Sequence, residues 1–245
     1  MTKETGESLI KAIENEKFKL AERLIMAGAD ITKTDKNGWT ALTHAVSVGE
    51  SHLVDLLLKK GADVNARDCE GNTPLIYAAT SHPKMTQLLI DYKADINAQN
   101  NVGMTPLMWA IFVSNTKMAH LLIQAGANVN LQNNNGQTAL MSAILRNHSD
   151  LALRLIQVGS DVNLKNKGGF TALMMTAFDN CSDQSMLVPV LIEKGANINA
   201  RDNLFKRTAL QWAIEHKVKT VENALKQELL RRGCLSQLRR QSMTR

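Results

Sequence analysis

Gly71-Asn-Thr-Pro-Leu75, preceded by Gly61-Ala-Asp-Val-Asn65, decides the fold of this chain. The first phrase recurs as Gly38-Trp-Thr-Ala-Leu42, Gly103-Met-Thr-Pro-Leu107, Gly136-Gln-Thr-Ala-Leu140 and Gly169-Phe-Thr-Ala-Leu173, and without its glycine as Lys206-Arg-Thr-Ala-Leu210. Successive copies start 33, 32, 33, 33 and 37 residues apart. The second phrase returns as Ala94-Asp-Ile-Asn97, Gly126-Ala-Asn-Val-Asn130, Gly159-Ser-Asp-Val-Asn163 and Gly195-Ala-Asn-Ile-Asn199, with Gly28-Ala-Asp-Ile-Thr32 as an earlier, imperfect copy. A fixed period of this kind marks a repeat architecture. The threonine reads as a helix N-cap, its hydroxyl accepting from free N–H groups of the first turn. Pro74 and Pro106 then occupy the first helical position, where a missing N–H costs nothing. Small residues such as Ala45 and Ala78-Ala79 let neighbouring helices approach closely. A second apolar helix follows, including Leu53-Val54 and Leu56-Leu57-Leu58, and Gly61 supplies its left-handed C-cap.

The pattern resembles the ankyrin repeat, a helix–turn–helix unit of 33 residues with a Thr-Pro-Leu-His phrase. The resemblance runs from about residue 7 to about residue 232 and implies an all-α fold: an ankyrin-repeat solenoid of helix–turn–helix units with extended turn segments. No copy keeps the histidine, since Thr43, Ile76, Met108, Met141, Met174 and Gln211 follow the leucines. Lys93 replaces a capping glycine, at a cost of about 1 kcal/mol for left-handed backbone. Three extra residues fall around Asn180–Ser185 and one near Leu204. Residues 1–232 are expected to form about seven repeats including caps, because terminal repeats must expose a polar face. Helices are expected at 7–15 and 17–27 in the first cap, and at 208–216 and 219–232 in the last. Residues 233–245 are expected to be a basic, flexible tail.

Composition fits this reading. Of 245 residues, 44% are hydrophobic, 21% charged and 4% aromatic, so the core must be built from Leu, Ile, Val, Ala and Met. No apolar run approaches the ~18 residues of a membrane-spanning helix, and the first residues lack the apolar stretch of a secretion signal. Cys69, Cys181 and Cys234 are far apart and odd in number, which fits a reducing, cytoplasmic compartment rather than a disulfide framework. The net charge of +6 comes entirely from the C-terminal end, where eight basic residues between Lys217 and Arg245 face only Glu222 and Glu228.

The resemblance implies a protein-binding scaffold or adaptor that holds a partner protein or peptide on its concave side, formed by the turn tips and the exposed face of each first helix. Function is then expected where the copies disagree. Before the threonine stand Trp39, Asn72, Met104, Gln137, Phe170 and Arg207; on the first helices stand His44, Tyr77, Trp109, Ser142, Met175 and Trp212. With Phe112, Phe178 and Phe205, these positions hold eight of the ten aromatic residues. Aromatic and arginine side chains dominate binding hot spots. The expected partner-binding set is Trp39, His44, Tyr77, Trp109, Phe112, Arg146, Phe170, Phe178 and Trp212, all on exposed positions except Phe112 and Phe178, which are expected to pack partly between repeats.

Other chemistries lack support in the sequence. None of the six histidines pairs with a cysteine or carboxylate at ligand spacing, so no metal is expected. There is no phosphate loop or nucleophile signature, hence no catalytic residues and no cofactor. Two alternatives remain open: a secreted bacterial effector delivered to a host cell, and a nucleic-acid or anionic-surface binder using the basic tail. The latter is disfavoured by a tail without interleaved aromatics. A monomer is expected. The resemblance also raises hydroxylation of the turn asparagines Asn65, Asn130 or Asn163.

Overall fold

A computed structural model describes residues 2–81, 83–178 and 184–233. Fourteen helices occur among them, in seven pairs. The first four pairs are α1 (Thr2–Glu14) with α2 (Phe18–Met26), α3 (Ala41–Ser47) with α4 (Ser51–Lys59), α5 (Pro74–Ser81) with α6 (Pro83–Asp91), and α7 (Pro106–Phe112) with α8 (Thr116–Gln124). The remaining three are α9 (Ala139–Leu145) with α10 (Ser149–Gln157), α11 (Ala172–Met175) with α12 (Leu187–Glu193), and α13 (Ala209–Glu215) with α14 (Lys219–Arg231). The described residues contain no strand, only an isolated bridge between Thr34 and Thr40. The all-α expectation therefore holds. The chain divides into two compact units, Met1–Ala127 and Asn128–Arg245. The tail beyond Gly233 and most of the insertion around residue 180 lie outside the described residues.

Helix starts follow the threonine rule. Thr40, Thr105, Thr138, Thr171 and Thr208 accept from the backbone N–H three residues on. Thr208 adds a reciprocal bond from its own N–H to Gln211, closing a capping box. Thr73 departs from the rule: its buried hydroxyl has no partner, and Ile76 N–H bonds the Thr73 carbonyl instead. Helix ends follow the glycine rule. After α4, Gly61 N–H bonds Leu58 and Ala62 N–H bonds Leu57, a Schellman closure. After α6 the same two bonds form around Lys93, whose φ of 67° confirms that a lysine holds the left-handed position.

In the first unit, α3 packs on α1 and α5, α5 on α7, and the second helices α2, α4 and α6 pack in register behind them. In the second unit, α11 packs on α9 and α13, and α12 on α10 and α14. The small-residue stripe lies where the sequence put it: Ala45, Ala78, Ala110, Ala143 and Ala213 on the first helices, and Ala177 in the turn just past α11, are fully buried. Leu53 and Leu57, or Leu151 and Leu155, fill the layer behind.

The turns are stitched from repeat to repeat by backbone. In the first unit, Cys69 N–H donates to the Asn37 carbonyl at 3.0 Å and Asn101 N–H to the Glu70 carbonyl at 2.9 Å. In the second, Lys167 N–H donates to Asn135 at 2.9 Å and Asn203 N–H to Gly168 at 2.8 Å. This close approach explains the glycine that opens each phrase. A Cβ on Gly136 would stand 2.9 Å from the Lys167 nitrogen, and φ there is +74°. Lys206 stands in the last such turn, at φ 55°, with no further described turn placed against it. The turn asparagines form a second ladder. Asn65 accepts from Asp95 N–H, Asn130 from Asp161 N–H and Asn163 from Asn197 N–H, each at 2.7–2.8 Å. Asn130 and Asn163 also donate, to the carbonyls of Gly159 and Gly195. These asparagine amides join one repeat to the next.

Candidate protein-interaction surfaces

One acidic or amide residue organises each turn tip. Asp35 Oδ1 accepts from Asn37 and Trp39 N–H, and Asp68 Oδ1 from Glu70 and Asn72 N–H. Asn100 and Asn133 do the same with their single oxygens. An aspartate has a second oxygen, left over from the backbone bonds in Asp35 and shared with one more N–H in Asp202, and that oxygen reaches the variable side chain on the following first helix. Asp35 Oδ2 lies 3.2 Å from His44 Nε2, Tyr77 hydroxyl donates to Asp68 Oδ2, and Trp212 Nε1–H donates to Asp202 Oδ2 at 3.1 Å. Where the turn holds Asn100, its Nδ2 is spent donating to Asn72 Oδ1, and buried Trp109 Nε1 has no acceptor. The choice between Asp and Asn thus decides whether the ring above it is tethered.

In the first unit the rings meet at these tethers. Trp39 lies 5.0 Å from the His44 ring and 4.6 Å from Tyr77, centroid to centroid. Asn72 Nδ2 donates to the Tyr77 hydroxyl at 3.2 Å. Burial, then the hydrogen bond to Asp68, pushes the Tyr77 phenol up to about 12, so it stays a donor at neutral pH. Trp109 and Phe112 form a separate pair at 5.6 Å. Phe112 is 49% exposed, with Val113 exposed beside it.

The second unit carries a denser group. Trp212 sits within 5.2–5.6 Å of Phe170, Phe178, Phe205 and His216. The Arg207 guanidinium lies 4.9 Å from the Phe205 ring and 5.0 Å from that of Trp212, a cation–π arrangement. Arg207 also pairs with Glu215 at 3.0 Å, and His216 Nδ1 lies 3.2 Å from the Ala177 carbonyl. Phe205 and Leu204, at the tip of the lengthened turn, are 54% and 74% exposed. Arg146, at the end of α9, is exposed; with burial as the larger cause, it helps hold the His148 imidazole below its ordinary pKa.

A family model of ankyrin repeats matches the chain three times, at residues 9–100, 85–166 and 147–232. The chain belongs to the ankyrin-repeat family. No curated protein matches it. Ankyrin repeats generally mediate protein–protein interaction, and proteins built of them are typically not enzymes. No helix among the described residues is long and apolar enough to cross a membrane.

The ankyrin frame corrects several expectations about single residues. His44 and Trp212, expected to be exposed, are buried at 8% and 6%. The aspartate tether draws each of them inward. Trp39, Tyr77, Trp109 and Phe170 are half-buried by their neighbouring rings and turn. Phe112, expected to be partly covered, is exposed at the end of its helix, while Phe178 is half-buried as expected. The histidines also differ from expectation. His44 stands beside both Asp35 and Glu14, and His52 lies 3.0 Å from Glu22. His44 and Asp35 are nine residues apart and Glu14 a further repeat away, a spacing that only the stacked turns bring together. Arg207 and Phe205 stood among the variable positions but, with Leu204, lay outside the expected binding set; the extra residue near Leu204 lengthens this turn and leaves Leu204 and Phe205 in solvent.

Proposed function

We propose that this ankyrin protein is an adaptor that binds a partner protein through the turn tips and first-helix ends of its repeats, with a ring-bearing surface on each compact unit. The carrying observation is the placement of eight of ten aromatics at the positions where the repeats differ, with Phe112, Leu204 and Phe205 left in solvent. Exposed apolar side chains gathered beside half-buried rings are the usual mark of an interaction site. Half-buried Trp39, Tyr77, Trp109 and Phe170 give a rigid floor, and the exposed rings are the anchors. The adaptor would act in a reducing compartment, its own cytoplasm or a host's; the surfaces are the same in either case.

The basic C-terminal end is a weaker contact. Glu222 is paired with Lys219 and Lys226, Glu228 with Arg231, and Arg232 donates to the Ile192 carbonyl, so much of its described charge is already answered within the fold.

Affinity capture with wild type, Phe112→Ser, Phe205→Ser and the surface control Lys59→Ser tests this reading. A partner held by wild type and the control but weakened at least ~30-fold by a ring variant is expected, since hot-spot residues are worth about 2 kcal/mol or more. A partner held equally by all four proteins would refute it.

A further inference from the structure

The region around His44 holds a feature that the binding surfaces do not use. His44 Nε2 lies 3.2 Å from Asp35 Oδ2 and 3.8 Å from Glu14 Oε1, and the three ligand atoms all fall within 4.8 Å of one another. We propose that Glu14, Asp35 and His44 form a site for a zinc-class divalent cation, which clamps the N-terminal cap to the second repeat.

The donor set and its supports carry this. Zinc takes imidazole nitrogen and carboxylate oxygen at about 2.0–2.2 Å, which sets tetrahedral ligands about 3.4 Å apart. The two separations around His44 bracket that value. The ligands come from three elements: the end of α1, the first turn tip, and α3. Asp35 is aimed by its own turn, because Oδ1 is fixed by the N–H groups of Asn37 and Trp39, leaving Oδ2 directed at the imidazole. Supporting bonds of this kind orient metal ligands. The Trp39 ring packs 5.0 Å from that of His44, and the His44 side chain is only 10% exposed. Glu14 stays 44% exposed, which leaves an entry path for the ion and a water in the fourth position.

One repeat on, the corresponding positions hold Ser47, Asp68 and Tyr77, which offer no nitrogen ligand and only one carboxylate. The shared device in that repeat is a hydrogen bond from a ring to the turn aspartate; the imidazole and the extra carboxylate are particular to the first pair of repeats. The imidazole binds the ion as the neutral Nδ1–H tautomer, with the Nε2 lone pair going to the ion, a proton on Nε2 being exchanged through water to Nδ1, and the ionised carboxylates of Asp35 and Glu14 completing the protein ligands.

Calorimetric titration of the full chain with zinc chloride, without an affinity tag, tests the site. A single saturable event is expected, weakened at least ~10-fold by Glu14→Gln and unchanged by His52→Gln. Glu14 is exposed, so its amide variant keeps the fold. Intrinsic tryptophan fluorescence, to which Trp39 beside the His44 ring contributes, should shift with the same midpoint. No saturable binding up to ~1 mM zinc, or binding of equal strength in Glu14→Gln, would overturn the proposal. Neither outcome bears on the ring surfaces, which are tested by Phe112 and Phe205.

Discussion

Replacing Asp202 by asparagine isolates what the aspartate tether contributes. Asp202 is 1% exposed and accepts four hydrogen bonds. Oδ1 takes the N–H groups of Leu204 and Phe205, and Oδ2 takes those of Arg207 and the Trp212 indole. Burial pushes its carboxyl up, but the N–H donors of Phe205, Arg207, Leu204 and Trp212 outweigh it and hold the pKa below the ordinary value. The group is therefore ionised at neutral pH. An asparagine in either orientation turns an NH2 toward two of the four donors. Each bond to a charged acceptor is worth about 1.5–3 kcal/mol, so the loss should be about 3 kcal/mol. Asp35→Asn is the internal control. There Oδ1 alone makes both backbone bonds, as the oxygen of Asn100 does, so only the His44 contact is weakened and about 1.5 kcal/mol, the loss of one bond rather than two, is expected. Amide hydrogen exchange read by mass spectrometry on segments 202–216 and 35–46 reports these local losses separately, which suits a repeat protein whose unfolding need not be all-or-none. Equal losses at the two sites, or a loss under ~1 kcal/mol at Asp202, would refute the tether account.

Two further outcomes follow from the fold. Lys93→Gly should stabilise the first unit by about 1 kcal/mol in urea unfolding. The lysine holds φ 67°, and the equivalent Gly61 and Gly126 have open space where a Cβ would stand, so backbone strain is the main thing relieved. The last helix should loosen in acid. Burial pushes the Glu222 carboxyl up, but the ammonium groups of Lys219 and Lys226, at 2.8 and 2.6 Å, bring it below its ordinary 4.5. A depressed folded value means its stabilisation is complete above pH 4.5 and is lost as pH falls through the folded value. Exchange protection of residues 219–231 should fall over that range in wild type, and Glu222→Gln should flatten the dependence.

The sequence by itself determined the repeat and the all-α fold, because those rest on local chemistry. A threonine hydroxyl caps its own helix, a glycine closes the preceding one, and an alanine every repeat makes room for the next first helix; each interaction spans a few residues and recurs at a fixed period. The Thr73 hydroxyl shows the limit even there, since a residue of the right type went unused. Tertiary structure alone decided which variable rings face solvent. His44 and Trp212 were drawn inward by Asp35 and Asp202, nine and ten residues upstream, while Phe112 was left out at a helix end. That outcome depends on whether the turn residue has a spare carboxylate oxygen and on where the next turn lies. The meeting of Glu14, Asp35 and His44 was invisible for the same reason: the residues are 21 and 9 positions apart, and only the stacking of one repeat on the next closes the distance.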